Sequence, residues 1–298
     1  MRPQNRRRPR SALFLALMIG VISVACSGPK ATPPPPPTET LPVVDRSVAA
    51  GVRASLNELT GEVVLPMDNY WYSDRENVLV NSAVAYLIDD CVRAAGRTMV
   101  AWGGNGRALQ DFRYGQWSRP LAARNGNVPE TRVIPGIREK EAIEVTPADQ
   151  QMYEKCTSSV GRAGFPELLA GLAGDTSLQN RMVQTAAALT ERDPEYLEYR
   201  KAWESCLTTK GLKLAAEGSW AVKTTGSKED EIRTVLLDLG CKDASGGARV
   251  PYDIFAQYEA AQMKDHQAEL NELASQKAAA VDRAKQVLRD HGVADARL

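Results

Sequence analysis

Apolar positions recur at helical spacing in several stretches, and the clearest of these open on a capping residue. Ser73-Asp74-Arg75-Glu76 is a capping box, with serine at the cap and glutamate three residues on. Behind it Val78, Leu79, Ala83, Tyr86 and Leu87 lead to Cys91, and Gly96 stops the helix. Thr146-Pro147 sets a cap before a first-turn proline, and that helix runs through Met152 and Tyr153 to Cys156 and then Gly161. Asp193-Pro194 repeats the device ahead of Tyr196, Leu197, Tyr199, Trp203 and Cys206, with a stop at Gly211. Ser227 with Asp230 opens a further helix through Ile232, Val235 and Leu236, ending at Gly240 beside Cys241. Cys91, Cys156 and Cys206 each stand five residues before a glycine. Each therefore rides the last turn of a helix whose glycine can take the left-handed conformation.

Two segments break this pattern. Between Gly96 and Val145 no helix signal survives, and glycine, proline and Asn-Gly turns dominate. Short β-like runs occur there at Thr98–Trp102 and Thr131–Ile134. Nearly fifty structureless residues are unusual in a compact domain, so short strands or a packed loop are expected. From Pro251 to His291 the chain is rich in Ala, Glu, Gln and Lys and free of internal Gly and Pro. Phe255, Tyr258, Leu270, Leu273, Ala280, Val281, Ala284 and Leu288 lie near helical spacing, which predicts a long amphipathic helix able to project beyond the domain. The heptad stripe fails between Tyr258 and Leu270, which argues against a coiled coil. The predicted fold class is mainly α: a helical domain over 46–298, a short β or irregular insertion at about 97–145, and a long terminal helix over 251–291.

The N-terminus has a different logic. Arg2, Arg6, Arg7, Arg8 and Arg10 precede an uncharged, mostly apolar stretch over residues 11–25. A basic region followed by a short apolar one is a secretory signal, and the run is too short for a stable spanning helix. The stretch Ile22-Ser23-Val24-Ala25-Cys26 resembles the lipobox of bacterial lipoproteins. That resemblance implies a signal peptide over 1–25, cleavage before Cys26, and diacylglycerol on the Cys26 sulfur. Each buried CH₂ contributes about 0.8 kcal/mol, and two acyl chains tether firmly where one binds only reversibly. The implied location is the extracytoplasmic face of a cell membrane, with the export route, Sec or twin-arginine, left open. Residues 26–45 include five consecutive prolines, Pro33–Pro37, and read as a stiff polyproline stalk.

Removing the leader changes the charge. The chain has 37 Lys+Arg and 37 Asp+Glu; the leader takes five Arg and no acid, so the remainder is 32 − 37 = −5. A mildly acidic chain is not expected to bind nucleic acid, whose affinity comes from phosphate neutralisation. Lipidation of Cys26 leaves Cys91, Cys156, Cys206 and Cys241, an even number in an oxidising compartment, which predicts two disulfides. Loop entropy does not choose among the three pairings. Cys91–Cys156 and Cys206–Cys241 are expected, as sequential pairs joining neighbouring helices. No two of these cysteines stand close in sequence, as a structural zinc site would require.

Catalytic candidates are sparse. His266 and His291 are twenty-five residues apart in the predicted terminal helix, so they cannot serve one site, and a solvated role is expected. Gly103-Gly104-Asn105-Gly106 lacks the Lys-Ser/Thr of a phosphate loop. The acid pairs Asp89-Asp90 and Glu229-Asp230-Glu231 read as solvated helix faces, although two carboxylates across a cleft could hydrolyse a glycoside. Tyr70-Trp71-Tyr72, Trp102, Phe112, Tyr114 and Trp117 could stack on sugars, but filling a core poor in phenylalanine is the stronger expectation. No residue set points to a cofactor or a metal.

With Leu65-Pro66-Met67-Asp68-Asn69-Tyr70, Arg113-Tyr114-Gly115, Trp203-Glu204-Ser205-Cys206 with Gly211, and Asp238-Leu239-Gly240-Cys241-Lys242, the chain resembles uncharacterised four-cysteine secreted lipoproteins of actinobacteria. The resemblance spans most of 60–290 and implies helical structure and paired cysteines, with no catalytic residue to transfer. The expected function is a non-enzymatic binding or accessory protein on the outer membrane face, serving a membrane complex or the cell wall. The alternative is a cell-wall hydrolase using paired carboxylates.

Overall fold

The structure, a computed structural model, describes residues 41–97, 105–137, 145–160, 164–168 and 175–294. Cys26, the leader, the proline run and the β-like run Thr98–Trp102 lie outside the described residues. The domain begins with a 3-10 turn, Arg46–Ala49, pinned by its first residue. The Arg46 guanidinium donates to Asp193 at 2.7 Å through Nε and to Glu195 at 2.7 Å through Nη2. A hairpin follows, β1 (Ser55–Asn57) against β2 (Glu62–Val64), in antiparallel register Ser55↔Val64.

The predicted capping box is formed at the start of α1 (Asp74–Ala94): Ser73 Oγ accepts from the Glu76 N–H and the Glu76 carboxylate accepts from the Ser73 N–H. Gly96, at φ +73°, ends it. The insertion then supplies β3 (Gly106–Leu109), a short helix α2 (Arg119–Asn125), and β4 (Thr131–Ile134), with β3 and β4 antiparallel in register Gly106↔Ile134. The β-like run at Thr131–Ile134 is thus a strand. The helix α2 corrects the expectation that no helix lies between Gly96 and Val145. Ser118 caps it and Pro120 fills its first turn, but at seven residues it is too short to show a period.

Four helices then follow along the chain: α3 (Pro147–Val160), α4 (Leu178–Thr190), α5 (Pro194–Thr209) and α6 (Lys228–Ala244). Thr146, Asp193 and Ser227 cap α3, α5 and α6 as their sequences predict. Gly240 does not end α6; the helix passes through it to Ala244, and Gly246, at φ +117°, follows. All four paired cysteines therefore precede a glycine by five residues. Helix α4 was invisible in the sequence because its buried positions, Gln179, Met182, Ala186 and Thr190, are half polar and blur the apolar stripe.

The long C-terminal helix is α8 (Gln267–Asp290), and the 3-10 turn Lys264–His266 divides it from α7 (Val250–Met263). It does not project. Helix α7 is buried on nearly every side, through Tyr252, Ile254, Phe255, Ala256, Tyr258 and Ala261, as a central core helix must be. Helix α8 lays Ala280, Ala284 and Leu288 against Leu79, Val80 and Ala83 of α1.

Disulfides join α1 to α3 through Cys91–Cys156 (Cα–Cα 5.8 Å) and α5 to α6 through Cys206–Cys241 (Cα–Cα 5.5 Å). Trp71, Tyr72, Tyr114 and Trp117 are all buried, so these aromatics fill the core. Among the described residues no helix is long and apolar enough to cross a membrane.

Candidate functional site

The 3-10 turn Pro66–Tyr70 reverses the chain ahead of α1 and aims two polar groups inward. The Leu65 N–H donates to Asp68 Oδ2 at 2.7 Å, which folds the carboxylate back over the turn. The Met67 N–H donates to Glu259 Oε2 at 3.0 Å, tying the turn to α7. Phe255 and Glu259 are four residues apart on α7 and share a face. Asn180, Val183, Gln184 and Ala187 have the same spacing on α4. Between these surfaces lies a cavity of about 400 Å³, lined also by Leu65, Trp71 and Arg113. That volume falls in the range of small-molecule sites, roughly 300–1,000 Å³.

Arg113 reaches the cavity from the loop after β3. Its own N–H donates to Asp111 Oδ1 at 2.9 Å, the same oxygen that accepts the Tyr252 hydroxyl at 2.8 Å. The guanidinium lies 4.3 Å over the Phe255 ring and approaches Asp111 Oδ2 only to 3.9 Å. It makes no hydrogen bond among the described residues, so its donors remain available to a ligand.

The loop is held from below by a buried ion pair. The Lys242 ammonium donates to the carbonyls of Gln116 at 2.7 Å and Tyr114 at 3.1 Å, and lies 3.4 Å from Asp238 Oδ2. Asp238 Oδ1 accepts the Trp203 indole N–H at 2.6 Å. Burial pushes the Lys242 pKa down and the Asp238 pKa up, and their mutual attraction offsets part of each shift. Between the two held carbonyls Gly115 takes φ +72°, and a Cβ there would strike the Trp220 carbonyl oxygen. Lys242 is a positioning residue for the loop that carries Arg113.

The cavity electrostatics follow from burial. Glu259 is 1% exposed, and desolvation pushes its carboxyl up to about 8, with Asp68 adding to the rise and the Met67 N–H and Arg113 opposing it. At neutral pH it is mostly protonated and can donate a hydrogen bond. Burial also raises Asp68, while the Leu65 N–H and Arg113 hold it down in part. Asp68 and Arg113 form no direct ion pair within 4 Å among the described residues. Asp68 and Trp71 also wall an adjoining groove rich in acids, with Glu62, Asp74 and Glu76 facing Arg132 and Lys277.

The residues singled out in the sequence lie elsewhere. His266 sits in the turn before α8, 3.7 Å from Glu269. His291 is not freely solvated: its Nε2 meets Asp90 at 3.0 Å, its Nδ1 meets the Val287 carbonyl at 2.7 Å, and its ring contacts Tyr86. Asp89 is buried and pairs with Arg93, so this acid pair is no solvated face. Glu229, Asp230 and Glu231 occupy the first turn of α6, and Glu231 accepts from the Asn127 N–H at 2.9 Å. Among the described residues no group of three or more His, Cys, Asp or Glu is placed to hold a metal ion.

Asp68, Arg113 and Glu259 were missed as site residues. Asp68 and Arg113 belong to the stretches Leu65–Tyr70 and Arg113–Gly115 already noted in the sequence. Glu259 carried a signal of its own, an acid within the largely apolar helical run 254–261. The other noted stretches, Trp203–Cys206 and Asp238–Lys242, meet Tyr114 and Gly115 in the buried network beneath the cavity. No protein-family model, curated protein or solved structure matches the chain.

Proposed function

We propose that the chain is a lipid-anchored extracytoplasmic binding protein, tethered through Cys26 and offering the Asp68–Arg113–Glu259 cavity to a small molecule. The observation that carries this reading is the cavity: a ready-formed space with Leu65, Trp71, Val183, Ala187 and Phe255 as apolar wall and with polar groups from Asp68, Arg113, Asn180, Gln184 and Glu259. No histidine, cysteine, serine or threonine lines it among the described residues, which leaves the carboxylates of Asp68 and Glu259 as its candidate nucleophiles. The two disulfides suit a chain that matures in an oxidising compartment. The bound molecule would be presented to a membrane or cell-wall partner on the same face.

Two experiments test it. Wild-type protein expressed in an actinobacterial host should fractionate with membranes and take up an alkyne fatty acid, and Cys26→Ser should do neither. A wild-type chain found only in soluble fractions refutes the tether. The mature domain exposed to a low-molecular-weight cell extract should retain an adduct in native mass spectrometry, lost when Ala187→Trp fills the cavity. No adduct, and no change in melting temperature with extract, refutes the binding reading.

A hydrolase is the second reading, favoured by one observation: Asp68 and Glu259 line the same cavity, and burial raises both, Glu259 up to about 8. A neutral Glu259 would act as acid and an ionised Asp68 as base or nucleophile. Turnover of cell-wall glycan fragments, abolished by Glu259→Gln, is the required result; no turnover by wild type sinks it.

A further inference from the structure

We infer that the cavity takes a small zwitterion bearing an apolar group, of which a free apolar amino acid is the simplest example. This rests on the binding reading above and adds the class of ligand. Arg113 would hold the carboxylate, Asp68 the ammonium, and Val183, Ala187 and Phe255 the side chain.

Three features of the cavity lead there. Arg113 and Asp68 carry opposite charges into one space without pairing to each other, and each keeps capacity to spare. The guanidinium makes no hydrogen bond among the described residues, and the one hydrogen bond to the Asp68 carboxylate comes from the Leu65 N–H on Oδ2. A guanidinium with free donors matches a carboxylate in geometry as well as charge. Glu259 is mostly protonated at neutral pH, so the charged groups lining the cavity are one cation, Arg113, and one anion, Asp68, with Asp111 outside the lining at 3.9 Å from Arg113. A net anion would meet Asp68 and a net cation would meet Arg113; a dipolar molecule satisfies both. Val183 and Ala187 of α4 and Phe255 of α7 leave part of the volume suited to a hydrocarbon or aromatic side chain, with Asn180 and Gln184 beside it.

The test is isothermal titration calorimetry of the mature, oxidised domain at pH 7. The probes are leucine, phenylalanine, N-acetylleucine (no ammonium), leucinamide (no carboxylate) and glucose. Leucine or phenylalanine should bind at least roughly tenfold more tightly than either blocked form, the loss expected when one charge-assisted contact is removed. Arg113→Gln should weaken leucine about tenfold while leucinamide, a cation, binds no more weakly or gains; Asp68→Asn, which keeps an acceptor for the Leu65 N–H, should weaken leucine while N-acetylleucine, an anion, binds no more weakly or gains. Equal binding of blocked and free forms overturns the inference, as does binding of N-acetylleucine or glucose alone. Those last two outcomes leave the binding reading standing. No binding by any probe also overturns the inference, and the extract adduct then decides the binding reading separately. The wild-type panel answers the question even if a variant fails to fold.

Discussion

Replacing Glu259 by Gln probes the cavity's electrostatics while leaving its shape nearly unchanged. Gln is close to isosteric, and its amide oxygen can accept the Met67 N–H as Glu259 Oε2 does. Burial raises the Glu259 pKa to about 8 from an ordinary value of 4.5. The folded state therefore holds this proton more tightly than the unfolded state does. The resulting stability is fully present below pH 4.5, declines as pH rises beyond it, and is gone above about pH 8. The gap, 8 − 4.5 = 3.5 pH units, corresponds to on the order of 5 kcal/mol at about 1.36 kcal/mol per unit. The neutral amide of Glu259→Gln escapes this loss. The variant should match wild type within about 1 kcal/mol near pH 4.5 and exceed it by several kcal/mol at pH 9. At about 2–4 °C per kcal/mol for a domain of this size, the melting temperatures should separate by roughly 10–20 °C. Thermal and urea unfolding at pH 5, 7 and 9 and constant ionic strength measure the gap. A difference that stays flat with pH, or that closes as pH rises, would falsify the assignment of a protonated, buried Glu259.

Three further outcomes are expected. The Cys206→Ser/Cys241→Ser pair opens a loop of 35 residues and Cys91→Ser/Cys156→Ser one of 65, costing about 3.8 and about 4.3 kcal/mol in the chain-entropy model. Differential scanning calorimetry should show each pair melting on the order of 10 °C lower, and unchanged curves count against the staples. Lys242→Met strands the Asp238 carboxylate and the carbonyls of Tyr114 and Gln116; urea unfolding should show a loss of about 3–5 kcal/mol, partly recovered by adding Asp238→Asn, and a loss under 1 kcal/mol refutes the positioning role. For His291, burial opposes its charge but the Val287 carbonyl, Asp90 and Asp290 outweigh it, so its pKa lies above the ordinary 6.5. The stability it adds is present below that value and lost as pH rises through the folded-state pKa. Asp90→Asn should lower the His291 midpoint in an NMR titration, and an unmoved midpoint removes the contact from the argument.

Local chemistry decided much of the helical framework, and it was legible in the chain. Ser73 with Glu76, Thr146 before Pro147, Asp193 before Pro194 and Ser227 with Asp230 act within one turn, so the sequence alone carries them. The cysteine pairs were legible because each cysteine ends a helix and the pairs follow chain order. The C-terminal end of α6 and the break between α7 and α8 were less so. Gly240 tolerates a helix that packing sustains, and the turn Lys264–His266 carries neither Gly nor Pro.

The cavity was settled only by tertiary structure. Asp68, Arg113 and Glu259 are separated by 45 and 146 residues, and no local rule relates them. What joins them is long-range: the Met67 N–H on Glu259, the Lys242 ammonium on the carbonyls flanking Gly115, and α4 packed against α7. The perturbed charge of Glu259 likewise has no sequence signature, because a glutamate becomes a neutral donor only when the packed chain removes its water.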